Sequence, residues 1–271
     1  MDEFLNANRE HWNELVPIHE KSEFYDVEGF KAGKSSLQSI ELEELGDVVG
    51  KSLLHLQCHF GKDTLSWARL GAKVTGADFS EEGIALARSL SEDIGVEADF
   101  VVSNVYDLPD ALDAREKFDI VFTSYGVLCW LPDLTKWGQI IAHFLKPGGT
   151  FYIVEFHPFA NVFDDGDDVT DLVVHYPYFY TPEPLKFEPD GYGSYADRSA
   201  TVTTTDFEWN HGLGDVINAL ISAGLRIEFL REFPYSCYQH LPLMEKCDDG
   251  YWRLKDKGES VPLVYSIKAT K

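Results

Sequence analysis

Apolar side chains in residues 3–16, EFLNANREHWNELV, fall at Phe4, Leu5, Trp12, Leu15 and Val16, a helical spacing that Pro17 is expected to end. A second helix is predicted from about Ser35 to Leu45. Beyond it the period changes. Short apolar runs at 52–57, 73–77, 98–102, 118–124 and 149–155 read as buried strands, and the segments near 62–70, 80–92 and 134–145 between them read as amphipathic helices. Alternation of this kind requires right-handed crossovers, hence a mainly parallel, doubly wound α/β sheet with helices on both faces. After Phe156 the pattern dissolves into a stretch rich in Tyr, Phe, Pro, Asp and Gly. Within it DLVVHYPYFY and SATVTTTDFEW have strand composition, and an antiparallel pair capping the carboxyl edge of the sheet is expected from them. The α/β pattern returns with the helix GLGDVINALISAG and the strands LRIEFLREF and VPLVYSIKAT.

The order strand, tight turn, helix, strand over residues 52–80 is half of a nucleotide-binding fold, in which ligands lie across the carboxyl ends of the strands. Asp78 closes the second strand 17 residues after Gly61, where a carboxylate can accept both hydroxyls of a ribose. A helix N-terminus would also favour an acid there, but Ser80 already supplies the cap. The turn HLQCHFG keeps only Gly61 and places Gln57, Cys58 and His59 in the bend, a poor cradle for a pyrophosphate. An adenosine ligand without phosphates fits better, and S-adenosyl-L-methionine is the commonest of these.

Composition narrows the partners. The 271 residues are 44% hydrophobic, enough for one large core with an elaboration. A formal charge of −23 repels phosphate backbones, which disfavours nucleic acid as substrate; its ordinary meaning is a well-solvated surface, and its functional one is attraction of cationic or neutral ligands. With no apolar run near 20 residues, no membrane span is expected, and the protein reads as soluble and cytoplasmic. Four dispersed cysteines, 58, 129, 237 and 247, suggest reduced thiols. Two clusters invite a metal reading: Cys237, His240 and Cys247, and the run Asp164, Asp165, Asp167 and Asp168. Neither has the ligand spacing of a zinc or calcium site, so no metal is expected.

The stretch FDIVFTSYGVLCWLPDLTKWGQIIAHFLKPGGTFYIVEF, an acid-led strand, a helix ending in LKPGG and an immediate next strand, resembles the class I S-adenosylmethionine-dependent methyltransferases over residues 50–156 and again over 211–268. The resemblance implies a seven-stranded sheet of order 3-2-1-4-5-7-6 with the last strand antiparallel. It implies a helical cap over residues 1–46 and a methyltransferase domain over 47–271, with a lid insertion at 157–210 between strands 5 and 6. The family's glycine-rich motif falls on His55, Gln57, His59 and Gly61, so the usual acid and two glycines are replaced, with Cys58 inside the bend. Asp78 matches the ribose-binding acid, and Phe79 is placed to lie against adenine. Asn104 stands where an acid usually meets the adenine amine, or else it stabilises its own turn; Val105 follows with its backbone toward the ring. Ser124 and Tyr125 end the fourth strand, at the methionine portion and the substrate entrance.

In-line methyl transfer needs alignment, exclusion of water and, for some acceptors, a base. Glu155, His157, Tyr125 and His211 are the candidates. Tyr176, Tyr178, Phe179, Tyr180, Tyr192 and Tyr195 in the lid suit a flat or amine-bearing small molecule, or else form a small aromatic core. The leading expectation is methyl transfer to an N or O atom of a small molecule. The altered turn keeps open a catalytically silent adenosyl-ligand binding protein, and a nicotinamide-dependent oxidoreductase is disfavoured by the missing glycines.

Overall fold

The computed structural model describes residues 3–166, 168–189, 191, 193–257 and 259–271. Its centre is a seven-stranded sheet: β1 (Ser52–Leu56), β2 (Lys73–Asp78), β3 (Asp99–Val102), β4 (Phe118–Ser124), β5 (Leu145–Phe156), β6 (Arg226–Phe233) and β7 (Val264–Thr270). In space the order is β3-β2-β1-β4-β5-β7-β6, with β7 antiparallel to both its neighbours and the other pairings parallel. This is the order expected. Such strands must be apolar on both faces, because helices cover each side. β1 meets the requirement with Leu53, Leu54 and Leu56 all fully buried.

Among the described residues eight α-helices complete the frame: α1 (Glu3–Lys21), α2 (Val27–Lys31), α3 (Ser39–Leu45), α4 (Lys62–Arg69), α5 (Glu81–Ile94), α6 (Leu108–Ala111), α7 (Leu134–Phe144) and α8 (Leu213–Ser222). On one face Leu54, Leu56, Val121 and Ile153 pack with Trp137, Ile141 and Leu220 of α7 and α8. On the other Leu53, Phe122 and Tyr152 pack with Trp67 of α4 and Ile40 and Leu45 of α3. α7 and α8 approach so closely at Gly138 that a Cβ there would sit 2.7 Å from the Ala219 carbonyl oxygen.

Several expectations are corrected. α1 runs through Pro17 to Lys21. Proline forfeits one helical hydrogen bond, but Val16 and His19 on that last turn are buried, and the Ser22 hydroxyl donates to the His19 carbonyl at 2.8 Å. Docking outweighs the lost bond. The second predicted helix begins only at Ser39, and the short α2 was not anticipated. LKPGG belongs to β5, whose pairing with β4 shifts register between Phe118 and Ile120.

The lid also differs. Asp206–Glu208 does form an antiparallel ladder, but with Leu185–Phe187. DLVVHYPYFY contributes only an isolated bridge from Val174 to Phe163. The lid's packing core is largely aliphatic, joining Val162 and Phe163 to Leu241, Leu254 and Leu263. A further ladder, Met244–Lys246 with Trp252–Leu254, lies between β6 and β7. Asp167 of the acidic run and Tyr192 of the ring set lie outside the described residues. No helix among the described residues is long and apolar enough to cross a membrane.

Candidate active site

The carboxyl ends of β1, β2 and β4 open into a cavity of about 1750 Å³, roofed by α1 and the lid. Every cofactor-binding candidate from Gln57 to Tyr125 lines it, as do Glu155 and His211; His157 does not.

The turn after β1 shows how this chain manages without the missing glycines. Gln57 and His59 both take the left-handed backbone, at φ +56° and +50°, that glycine adopts freely. Each costs about 1 to 2 kcal/mol of strain. Their side chains make compensating contacts. Gln57 Nε2 donates to the Val127 carbonyl at 2.9 Å, leaving Gln57 Oε1 buried and unpartnered beside the cavity. His59 Nε2 meets His19 Nδ1 at 3.0 Å, and His19 Nε2 meets the Ser194 hydroxyl at 3.2 Å, so the turn, α1 and the lid are linked in one chain. Burial pushes His19 down to about 3 and His59 well below the usual histidine range, so the pair is neutral. Gly61 (φ +74°) caps α4, and a Cβ there would strike the Phe100 ring at 2.7 Å. Cys58 is buried, and burial raises its thiol well above the ordinary value.

His55 stands at the end of β1. Its Nδ1 meets the Thr64 hydroxyl at 2.8 Å, and burial pushes it down to about 4, so no negative charge sits there. A carboxylate arrives instead from the first turn of α4: Asp63 Oδ2 accepts from the Ser124 hydroxyl at 3.0 Å and lines the cavity. The sequence reading missed Asp63. Its position one helical turn beyond the bend was the available signal.

Asp78 is buried at the end of β2. Its oxygens accept the backbone N–H groups of His59 (2.8 Å) and Ser80 (2.9 Å), while burial pushes its carboxyl up to about 6. It therefore fixes the turn as well as facing the cavity. Phe79 is half-buried on the wall. Asn104 Oδ1 accepts the Tyr106 N–H at 2.9 Å, stabilising its own turn, and Asn104 and Val105 both line the cavity.

The acid–base candidates separate clearly. Glu155 spends both oxygens on the backbone N–H groups of Gly126, Val127 (2.8 Å), Leu128 (3.3 Å) and Phe156 (2.7 Å), so it is a clamp for the loop after β4. His157 Nε2 pairs with Glu232 at 2.9 Å on β6 and its Nδ1 accepts the Phe159 N–H, which turns it away from the cavity. Tyr125 donates its hydroxyl to Glu41 at 3.0 Å; Glu41 is fully buried, and that burial pushes its carboxyl up to about 8. His211 Nε2 donates to the Leu131 carbonyl at 2.6 Å. Because a carbonyl only accepts, the proton sits on Nε2 and the lone pair on Nδ1. Its ring stacks on Tyr180 at 5.2 Å, and burial lowers its pKa.

Of the lid rings, Tyr176, Tyr178 and the partly exposed Tyr195 line the cavity; Phe179 and Tyr180 are exposed and do not line it. Among the described residues no three or more His, Cys, Asp or Glu converge as metal ligands.

Residues 54–153 match the methyltransferase domain family. A ubiquinone biosynthesis O-methyltransferase of Xanthomonas euvesicatoria pv. vesicatoria is 33% identical over 133 residues, 48% of this chain and 54% of that protein. The chain thus spans about half the length of that curated relative. Among solved structures, a SAM-dependent methyltransferase from Methanosarcina mazei superimposes with a TM-score of 0.57 at 19% identity, covering 87% of this chain and 98% of the other. The glycopeptide N-methyltransferase MtfA, solved with S-adenosylmethionine, gives 0.52 at 17% identity over 85% and 91%. Residues 54–153 thus carry a methyltransferase domain, and the sheet order with its antiparallel β7 is that of the class I S-adenosylmethionine-dependent methyltransferase fold.

Proposed function

We propose that this protein transfers a methyl group from S-adenosylmethionine to an N or O atom of a small molecule. The observation that carries the reading is the convergence, at the carboxyl ends of β1 and β2, of the buried Asp78 carboxylate and the orphaned Gln57 Oε1 within a methyltransferase domain. These groups fit the cofactor's chemistry. Asp78 suits ribose hydroxyls, Phe79 and Val105 suit the adenine faces, and Gln57 Oε1 with the Asp63 carboxylate suits an ammonium group. When bound, S-adenosylmethionine supplies an electrophilic methyl on a sulfonium.

The chain's own work is alignment, closure and proton removal. The turn fixed by Asp78 and the loop clamped by Glu155 hold the walls, and α1 with the lid shuts out water. His211 lines the cavity, and because the Leu131 carbonyl sets its tautomer, its Nδ1 is left as the base for an acceptor that must lose a proton. Activity should then fall as pH drops through the lowered pKa of His211, and His211→Ala should remove that limb.

The test is calorimetric titration with S-adenosylmethionine and S-adenosylhomocysteine, with NAD as control, followed by turnover assays on amines, phenols and carboxylates. Micromolar binding of the adenosyl ligands alone supports the reading, and its absence overturns it. Binding without turnover on any acceptor favours the silent binding protein, which the left-handed, side-chain-filled turn at Gln57 and His59 would otherwise explain.

A further inference from the structure

The cavity extends past the turn into a chamber under the lid, where the short ladder of Leu185–Phe187 with Asp206–Glu208 forms one wall. Alternation along a strand sends successive side chains to opposite faces. Phe207 points outward, packing on Phe4 of α1 at 4.8 Å, and its backbone exchanges two hydrogen bonds with the Asn8 side chain. Asp206 and Glu208 must therefore point the other way, and both line the cavity while Phe207 does not.

Two carboxylates thus face one space, whose lining also includes Lys186, Arg198 and Lys246, with Lys186 paired to Glu188. Glu208 has no hydrogen-bond or ion-pair partner among the described residues. Asp206 has only His11 Nε2, 3.7 Å away, a histidine whose pKa burial has lowered. No lysine or arginine among the described residues pairs with either. Burial pushes Asp206 up to about 7, and burial with the neighbouring charges of Asp206 and Asp165 pushes Glu208 up to about 8. Both are half-buried; carboxylates withdrawn from water without a compensating charge are costly in a folded protein, and a cation in the same space relieves that cost. The chamber also has the faces a cation prefers: Trp130, held by its Nε1 on the Gly126 carbonyl at 2.8 Å, and Tyr176 beside Phe187.

We propose that the methyl acceptor carries an ammonium group, received by Asp206 and Glu208, with its apolar body against Trp130 and Tyr176. This names the substrate class for the methyltransferase reading and rests on it. The large negative charge of the whole chain attracts the same class of ligand toward the entrance.

The experiment titrates protein saturated with S-adenosylhomocysteine against 2-phenylethylamine, tyramine and tryptamine, and against 2-phenylethanol and phenylacetate as neutral and anionic counterparts. At least one amine should bind tenfold or more tighter than both counterparts. Glu208→Gln and Asp206→Asn should each reduce that preference to less than threefold while leaving S-adenosylhomocysteine affinity within twofold. No amine binding at millimolar concentration, equal binding of amine and alcohol, or a preference retained in both variants overturns the proposal. Repeating the amine titrations without S-adenosylhomocysteine keeps the two readings apart, because a failure of cofactor binding with amine binding intact counts against the methyltransferase reading alone.

Discussion

Asp78 serves two functions that are separable by measurement. It anchors the turn through the His59 N–H and faces the cavity where a ribose would lie. Asp78→Ala should weaken S-adenosylmethionine binding by about 1.5 to 3 kcal/mol, the scale of hydrogen bonds to a charged group; unchanged affinity in calorimetry would remove it from the cofactor site. Glu41 offers a pH test. Its folded pKa is raised to about 8, so its contribution to stability is complete below pH 4.5 and is lost as pH rises through 8. Glu41→Gln keeps an acceptor for the Gln38 N–H, presents an amide N–H as donor to the Tyr125 oxygen, and does not titrate. Urea midpoints measured at pH 6 and pH 8 should fall for the wild type, by up to tenfold in the folding equilibrium per pH unit, and fall less for the variant. At this scale the sequence was legible where one residue has one job, as with Ser80, which caps α5 through the Gly83 N–H. It was not legible for Glu155 and His157. Both sit at the ligand edge by register, and only tertiary partners reveal that one clamps a loop and the other faces β6.

Among the elements, the central strands and their helices followed directly from hydrophobic period, since a strand such as β1, buried on both faces, admits few other readings. The misses have a common cause. α1 passes Pro17, and Asp206–Glu208 chooses Leu185–Phe187 over the more strand-like DLVVHYPYFY, because long-range docking decided both. Pro17 is exposed, so its ring adds little packing. Pro17→Ala should restore a helical N–H and stabilise the protein by about 1 to 3 kcal/mol. A urea titration showing no gain would mean that the kink itself is needed to seat His19. At the contact of α7 with α8 the effect has the opposite sign. Gly138→Ala should cost about 1 to 3 kcal/mol, since the new methyl meets the Ala219 carbonyl, an atom that cannot swing aside; thermal unfolding would register the loss.

For the molecule as a whole, charge is the dominant surface property. With 46 acidic and 23 basic side chains, self-repulsion opposes compaction, and individual exposed pairs such as Lys257 with Asp171 contribute little against it. Raising sodium chloride from 20 mM to 500 mM, which shortens the screening length several-fold, should therefore increase Tm. A decrease would show that specific ion pairs outweigh the net field. The bond between His59 and His19 has a consequence on another timescale. Histidine tolerates the left-handed backbone at position 59 in exchange for an anchor nineteen positions into the chain, so neither residue is free to drift alone. A lineage that lost His19 would keep the strain without its return, and glycine at 59 would then be the favoured replacement. The two positions are bound to change together.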